Sequence, residues 1–189
     1  LKIDEPQTFE AGQFKSTLLA KVTNPSSNYG LNDFEYEFQV FSPFGTLISK
    51  FGARSYILTN ESKYLIVPGI DIDSRDVSYV KVNIPTQNWE LRADLPDFNL
   101  KFKDLLTLPV AKSIQVRGVL VNDSSSGFPS VSLVGILFDK NDNIINASGT
   151  KIDNVAAFSE IPFTIFYPTI KSVKEINFTQ TKVFYEVKR

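Results

Sequence analysis

The sequence predicts an all-β chain built as two antiparallel β-sandwiches in tandem. Three observations carry that expectation. The stretch from Ser16 to Gly52 returns as Ser113 to Gly149: Asn24, Ser26 and Ser27 meet Asn122, Ser124 and Ser125 at a spacing of 98. After a one-residue slip, Gly30, Phe41, Ile48 and Gly52 meet Gly127, Phe138, Ile145 and Gly149 at 97, and a spacing held this steadily marks a repeated domain. Apolar and polar residues alternate with period two in segment after segment, which is the pattern of half-buried strands. Turn formers, chiefly Asn, Pro, Ser and Gly, punctuate those segments at the short spacing of a sandwich.

The repeat divides 189 residues into domains at 1–95 and 96–189. A hydrophobic content of 42%, with 16 Phe, 7 Tyr and 1 Trp, supplies two cores and argues against disorder. The first half carries 9 basic and 12 acidic side chains and the second 11 and 9, nets of −3 and +2. Neither half has the basic face expected of a nucleic-acid binder.

In chain order, Leu1–Asp4 is expected as a short strand, followed by a loop through Pro6 and Gly12. Residues 15–24 form a strand with Leu18, Ala20 and Val22 inward, and NPSSNYG ends it as a turn. DFEYEFQVF at 33–41 is the clearest strand: Phe34, Tyr36, Phe38 and Val40 share one face, Glu35, Glu37 and Gln39 the other. SPFG turns the chain into a partner strand, TLISKF, and two further strands, RSYIL and KYLIV, follow. GIDIDSRD is a loop with at most one helical turn near Asp73–Val77. VSYVKVNIP closes the half, with Val80, Val82 and Ile84 alternating. A linker falls around Ala93–Asp97, and the second half runs through strands near Phe98–Lys103, Ile114–Asn122, Val131–Phe138, Asn143–Ala147, Ile161–Phe166 and Lys174–Glu186. Leu120, Val131, Leu133 and Leu137 are its expected core.

The order strand, NPSSxYG, FEYxFxVF, turn with Gly, TLI, then YIL, ESKYLI and WE resembles tandem domains of bacterial membrane-anchored surface proteins. Those are similar to the FxLYD-type and late-embryogenesis-abundant type 2 sandwiches. The FxLYD pattern falls on Phe38–Ser42, which lacks the Asp, and on Gly135–Asp139, which lacks the leading Phe. The resemblance implies immunoglobulin-like sandwiches held on the outer side of a membrane by an anchor upstream of Leu1. It brings no catalytic residues with it.

With no His, no Cys and no Met, triads built on those groups, thiolate chemistry and His- or Cys-ligated metals are excluded. No catalytic, metal or cofactor-binding residue is expected, and no cofactor. Asp71, Asp73 and Asp76 read as loop carboxylates. DKNDN at 139–143 opens like a calcium loop, but Ile144 and Thr150 stand where that loop requires Gly and Glu; a turn is expected. Asn60, Asn122, Asn146 and Asn177 begin glycosylation triplets. Trp89 and the Tyr residues suit either core or a sugar platform.

The one candidate interaction surface comes from a disagreement between the repeats. Where the first carries Glu35, Glu37 and Gln39, the second carries Ser132, Val134 and Ile136. A strand apolar on both faces is normally covered on both, so these residues are expected to lie under Leu105–Leu108, the first domain or a neighbouring molecule. The function expected is a non-enzymatic extracytoplasmic spacer and protein-interaction module with a protein partner or self-association, and membrane contact only through the anchor. The alternatives are a head-to-tail filament or sheath subunit and a carbohydrate-binding module.

Overall fold

In the computed structural model, which describes residues 1–110, 113–168 and 176–188, the described residues form strands, turns and two single 3-10 turns, with no α-helix. The chain makes two compact units, Leu1–Thr8 with Gln13–Asp97, and Phe9–Gly12 with Phe98–Arg189.

The first unit is organised by β4 (Tyr29–Phe41). It pairs antiparallel with β5 (Leu47–Ile57) on one side and with β7 (Tyr79–Asn83) and the two-residue β8 (Glu90–Leu91) on the other. The opposing sheet is β3 (Ser16–Thr23), flanked by β6 (Ser62–Ile70) and by the short β1 (Lys2–Ile3). Leu18, Ala20 and Val22 of β3 and Leu65 of β6 meet Phe34, Tyr36, Phe38 and Val40 of β4 in one core. That is a face-to-face sandwich, with polar residues alternating outward.

The second unit repeats the central pairings of the first in two three-stranded sheets, with no counterpart of β8 among the described residues. Here β11 (Phe128–Phe138) lies between β12 (Ile144–Val155) and β14 (Lys182–Lys188). The sheet opposite is β10 (Ser113–Asn122) between β13 (Ser159–Tyr167) and β9 (Leu100–Val110). Leu120, Val131, Leu133 and Leu137 are all buried.

Five elements differ from expectation, each for a local reason. The loop before Gln13 contains a strand, β2 (Gln7–Glu10). TLISKF and RSYIL are one strand: Gly52 and Ala53 interrupt the apolar pattern but keep their ladder places opposite Glu37 and Tyr36. β3 is buried on both faces over Ser16–Ala20, so its polar Ser16 and Thr17 are inside; the Ser16 hydroxyl donates to the Ile72 carbonyl at 2.6 Å. β9 runs to Val110, past the expected end at Lys103, so Leu105–Leu108 is an edge strand on β10; Pro109 is tolerated there because an edge strand leaves its outer N–H unused. β12 continues eight residues beyond Ala147, to Val155. The expected helical turn is Ser74–Asp76, N-capped by Asp73. Of the strand expected over Lys174–Glu186, Lys174 and Glu175 lie outside the described residues, residues 177–181 are turn and loop, and the strand is β14 from Lys182.

One core position shows how the same frame takes different side chains. Phe38 fills the centre of the first core, and its counterpart in the second unit is Gly135. The volume comes from the opposite sheet, where Tyr167 stands at the ladder place of Ile70. A Cβ on Gly135 would sit 2.2 Å from the Tyr167 hydroxyl. That hydroxyl is buried without a hydrogen-bond partner among the described residues, and burial raises its pKa. Gly135→Ala is therefore expected to cost about 1–3 kcal/mol, the range for overpacking. Tyr167→Phe should cost nothing measurable and should suppress the Gly135→Ala defect. Thermal melts of the double-mutant cycle check this; additive effects would contradict the packing.

Candidate interaction surfaces

The repeat reaches into the turns, where side chains do backbone work. Asn24, fully buried at the end of β3, donates through Nδ2 to the carbonyls of Tyr29 at 2.7 Å and Leu58 at 2.8 Å. Its Oδ1 accepts from the Ser26 N–H at 3.0 Å. Asn122 repeats this at the end of β10, donating to Ser126 at 2.9 Å and Ala156 at 2.8 Å and accepting from Ser124 at 3.0 Å. Each asparagine thus ties the turn after its strand to the turn that precedes the partner strand, β6 or β13. Asn122 cannot carry a glycan in this state, and Asn146 is buried as well. Asn60 is exposed, in a left-handed conformation with φ 54° that Asn tolerates. Asn177 is half-buried and donates to Gln180 at 2.6 Å.

The hairpins between β4 and β5 and between β11 and β12 match in the same way. In the first, the Ser42 hydroxyl accepts from the N–H groups of Phe44 and Thr46 at 3.3 and 3.2 Å. In the second, Asp139 Oδ1 accepts from Asn141 and Asn143 at 2.7 and 2.9 Å. Ser42 therefore supplies in the first hairpin the acceptor that Asp139 supplies in the second. The DKNDN carboxylate is occupied in closing its own turn, and hydrogen bonds led by Asn143 hold its pKa low. No group of three side chains suited to a metal ion occurs among the described residues.

Asp71, Asp73 and Asp76 do not act together. Asp71 pairs with Lys15 at 3.1 Å and Asp73 with Arg75 at 2.6 Å, while Asp76 stands on the 3-10 turn. The Arg75 guanidinium, then the Arg75 N–H, hold the Asp73 carboxyl down at about 2. A folded-state pKa below the unfolded value stabilises the loop above the ordinary Asp range, and this contribution is lost as pH falls toward 2. A carboxyl carbon titration should place the Asp73 midpoint near 2 and return it toward the ordinary Asp value in Arg75→Ala. An unchanged midpoint would contradict the pairing.

The surface expected on β11 is not open. Val134 is 4% and Ile136 0% exposed, while the inward pair Leu133 and Leu137 are at 1% and 0%. Ser132 is half-buried. The strand is covered on both faces within the chain itself, so Val134 and Ile136 offer no bare patch to a separate molecule. Leu105–Leu108 belongs to β9 of the sheet opposite β11 and lies along β10. The counterpart face in the first unit is open and polar. Across three strands the ladder sets Lys50, Gln39 and Lys81 in one row and Gly52, Glu37 and Asn83 in the next. Beyond them Arg54 lies opposite Glu35, donating to Asp33 at 3.0 Å and Glu35 at 2.7 Å. The Asp33 bonds raise the Arg54 pKa. The Gln39 amide, then Lys50, lower that of Glu37. A groove of about 390 Å³ crosses this face at Gly52, between Glu35, Glu37, Arg54 and Asn83.

Trp89 is 40% and Tyr29 46% exposed, so neither is core. With Pro25 and Leu1 they border an apolar cleft of about 410 Å³ beside the Asn24 corner. Sequence reading missed the Arg54 network because its members are spread over Asp33, Glu35 and Arg54, and only the β4–β5 register brings them together.

The fold and these surfaces define an all-β chain of antiparallel sandwiches whose distinctive chemistry lies on the first unit's outer sheet face. No protein-family model matches the chain, and no curated protein does. Among solved structures it is similar to a glycosyl hydrolase family 2 member from Bacteroides cellulosilyticus, at 12% identity and a TM-score of 0.31. The match covers 93% of this chain and 25% of that one. The chain therefore spans a quarter of that protein, and a likeness this low carries no argument about activity.

Proposed function

We propose that this chain is a non-enzymatic, extracytoplasmic module: two immunoglobulin-like sandwiches, derived from one duplicated domain, serving as spacer and interaction surface of a membrane-anchored protein. The observation that carries the reading is one frame used twice with different surfaces. Buried Asn corners, hairpin closures and central strand pairings recur between the units, whereas the outer faces of β4 and β11 do not. Buried side chains that recur support the fold; exposed ones that differ are free to serve recognition.

Sedimentation of the chain tests this. A module should remain a 21.2 kDa monomer over a wide concentration range. A filament subunit, which the opposite charges of the halves would favour, should form open-ended polymers, and that result would overturn the spacer reading.

A further inference from the structure

We propose that the outer face of the β5–β4–β7 sheet binds a neutral, extended oligosaccharide across the groove at Gly52, an activity beyond the spacer role. Gly52 has no backbone reason to be glycine. Its φ lies outside the left-handed region, and an added Cβ would meet only the Tyr36 carbonyl oxygen, at an ordinary 3.6 Å. Glycine in a strand interior marks a bulge, a bend or a close approach, and the β4–β5 ladder runs through Gly52 without a register shift, which favours the close approach. Its counterpart in the second unit is Gly149, opposite Val134 on a face that the chain covers itself. The same depression is thus covered and apolar in one unit, open and polar in the other.

The chemistry of the open face selects the ligand class. Asp33, Glu35 and Glu37 are balanced by Lys50, Arg54 and Lys81, so the face offers no net field to an ion. It offers carboxylate acceptors beside guanidinium, ammonium and amide donors, and a hydroxyl can donate and accept at once. Arg54 is held between Asp33 and Glu35, and Glu37 between Gln39 and Lys50. Groups already fixed lose little further freedom on binding. Four residues along β4 from Glu37, roughly 13 Å at strand rise, Phe41 and Tyr79 stack with centroids 4.6 Å apart and planes within 10°. Tyr79 is exposed, with the Lys81 ammonium 5.6 Å from its centroid and 5.4 Å from that of Phe41; ring and ammonium side by side offer a sugar an apolar contact and a donor for a hydroxyl. Groove and platform together fit several linked sugars better than one.

An array of short neutral oligosaccharides, glucose-, xylose-, mannose-, galactose- and N-acetylglucosamine-based, tests the proposal, with the best binder titrated calorimetrically. Binding should be insensitive to salt. Gly52→Thr, which fills the groove with a good strand former, should weaken it about tenfold or more without lowering Tm. Tyr79→Ala should weaken it about three- to tenfold. Absence of binding to every neutral glycan, binding unchanged in both variants, or binding only to acidic glycans with a steep salt dependence would overturn the proposal. The sedimentation result is independent of it, so either reading can fail alone.

Discussion

Asn122→Asp is expected to unfold the second unit at neutral pH and to let it recover partly in acid. The Asn122 amide gives its two protons to the carbonyls of Ser126 and Ala156 inside the protein. A carboxylate in that place has no proton to give and sets negative charge against two carbonyl dipoles. Each buried acceptor left unpaired costs about 1–3 kcal/mol, and the buried charge adds to that. The sum, about 4 kcal/mol or more by those figures, is a large part of a domain's stability. Protonation restores one donor, so the variant should be more stable near pH 4 than near pH 7. Asn122→Ala should cost about 2–6 kcal/mol on the same reckoning with no such pH dependence. Far-UV circular dichroism against pH, on all three proteins, reads the difference. A variant as stable as the parent at neutral pH would mean that the corner does not hold the fold.

Phe38→Ala should cost about 3–5 kcal/mol, the usual loss for a buried Phe. Phe38 is wholly buried at the centre of β4 and meets Tyr36 edge to face at 5.9 Å. The sheet opposite has Ile70 where the second unit has Tyr167, so that sheet offers no ring at this ladder place. Urea unfolding measures the loss. A cost under about 1 kcal/mol, the range of surface changes, would contradict the register of β4.

Much of this frame was legible because period-two alternation and turn residues report on the backbone directly. Alternation alone places Phe34, Tyr36, Phe38 and Val40 in the core, and the structure buries all four. The Asn and Ser of the corner were visible as repeated letters, but not as the hydrogen bonds that explain their recurrence. Alternation fails for β3, which is buried on both faces, whereas the two apolar faces of β11 announce its cover directly. β3 takes Thr17 and Leu19 inside along with Leu18 and Ala20, and β11 buries Val134 and Ile136 as its two apolar faces require, under a cover supplied by the chain itself. Strand ends were misjudged where Gly52–Ala53 and Ala147–Gly149 break the apolar run, since inter-strand hydrogen bonds continue through residues that lack large side chains. The polar face of the first unit was legible as Glu35, Glu37 and Gln39. Its partners Lys50, Arg54, Lys81 and Asn83 were not, because cross-strand neighbours follow from register and register is not local.

The central claim is that the chain holds two autonomous units of one design, each locked by its own asparagine corner. Hydrogen exchange on the whole chain carrying Asn24→Asp tests it most directly. The account predicts loss of protection in β3 to β7 of the first unit, with β10 to β13 of the second as protected as in the parent. Loss of protection in both units together, or in neither, would contradict it.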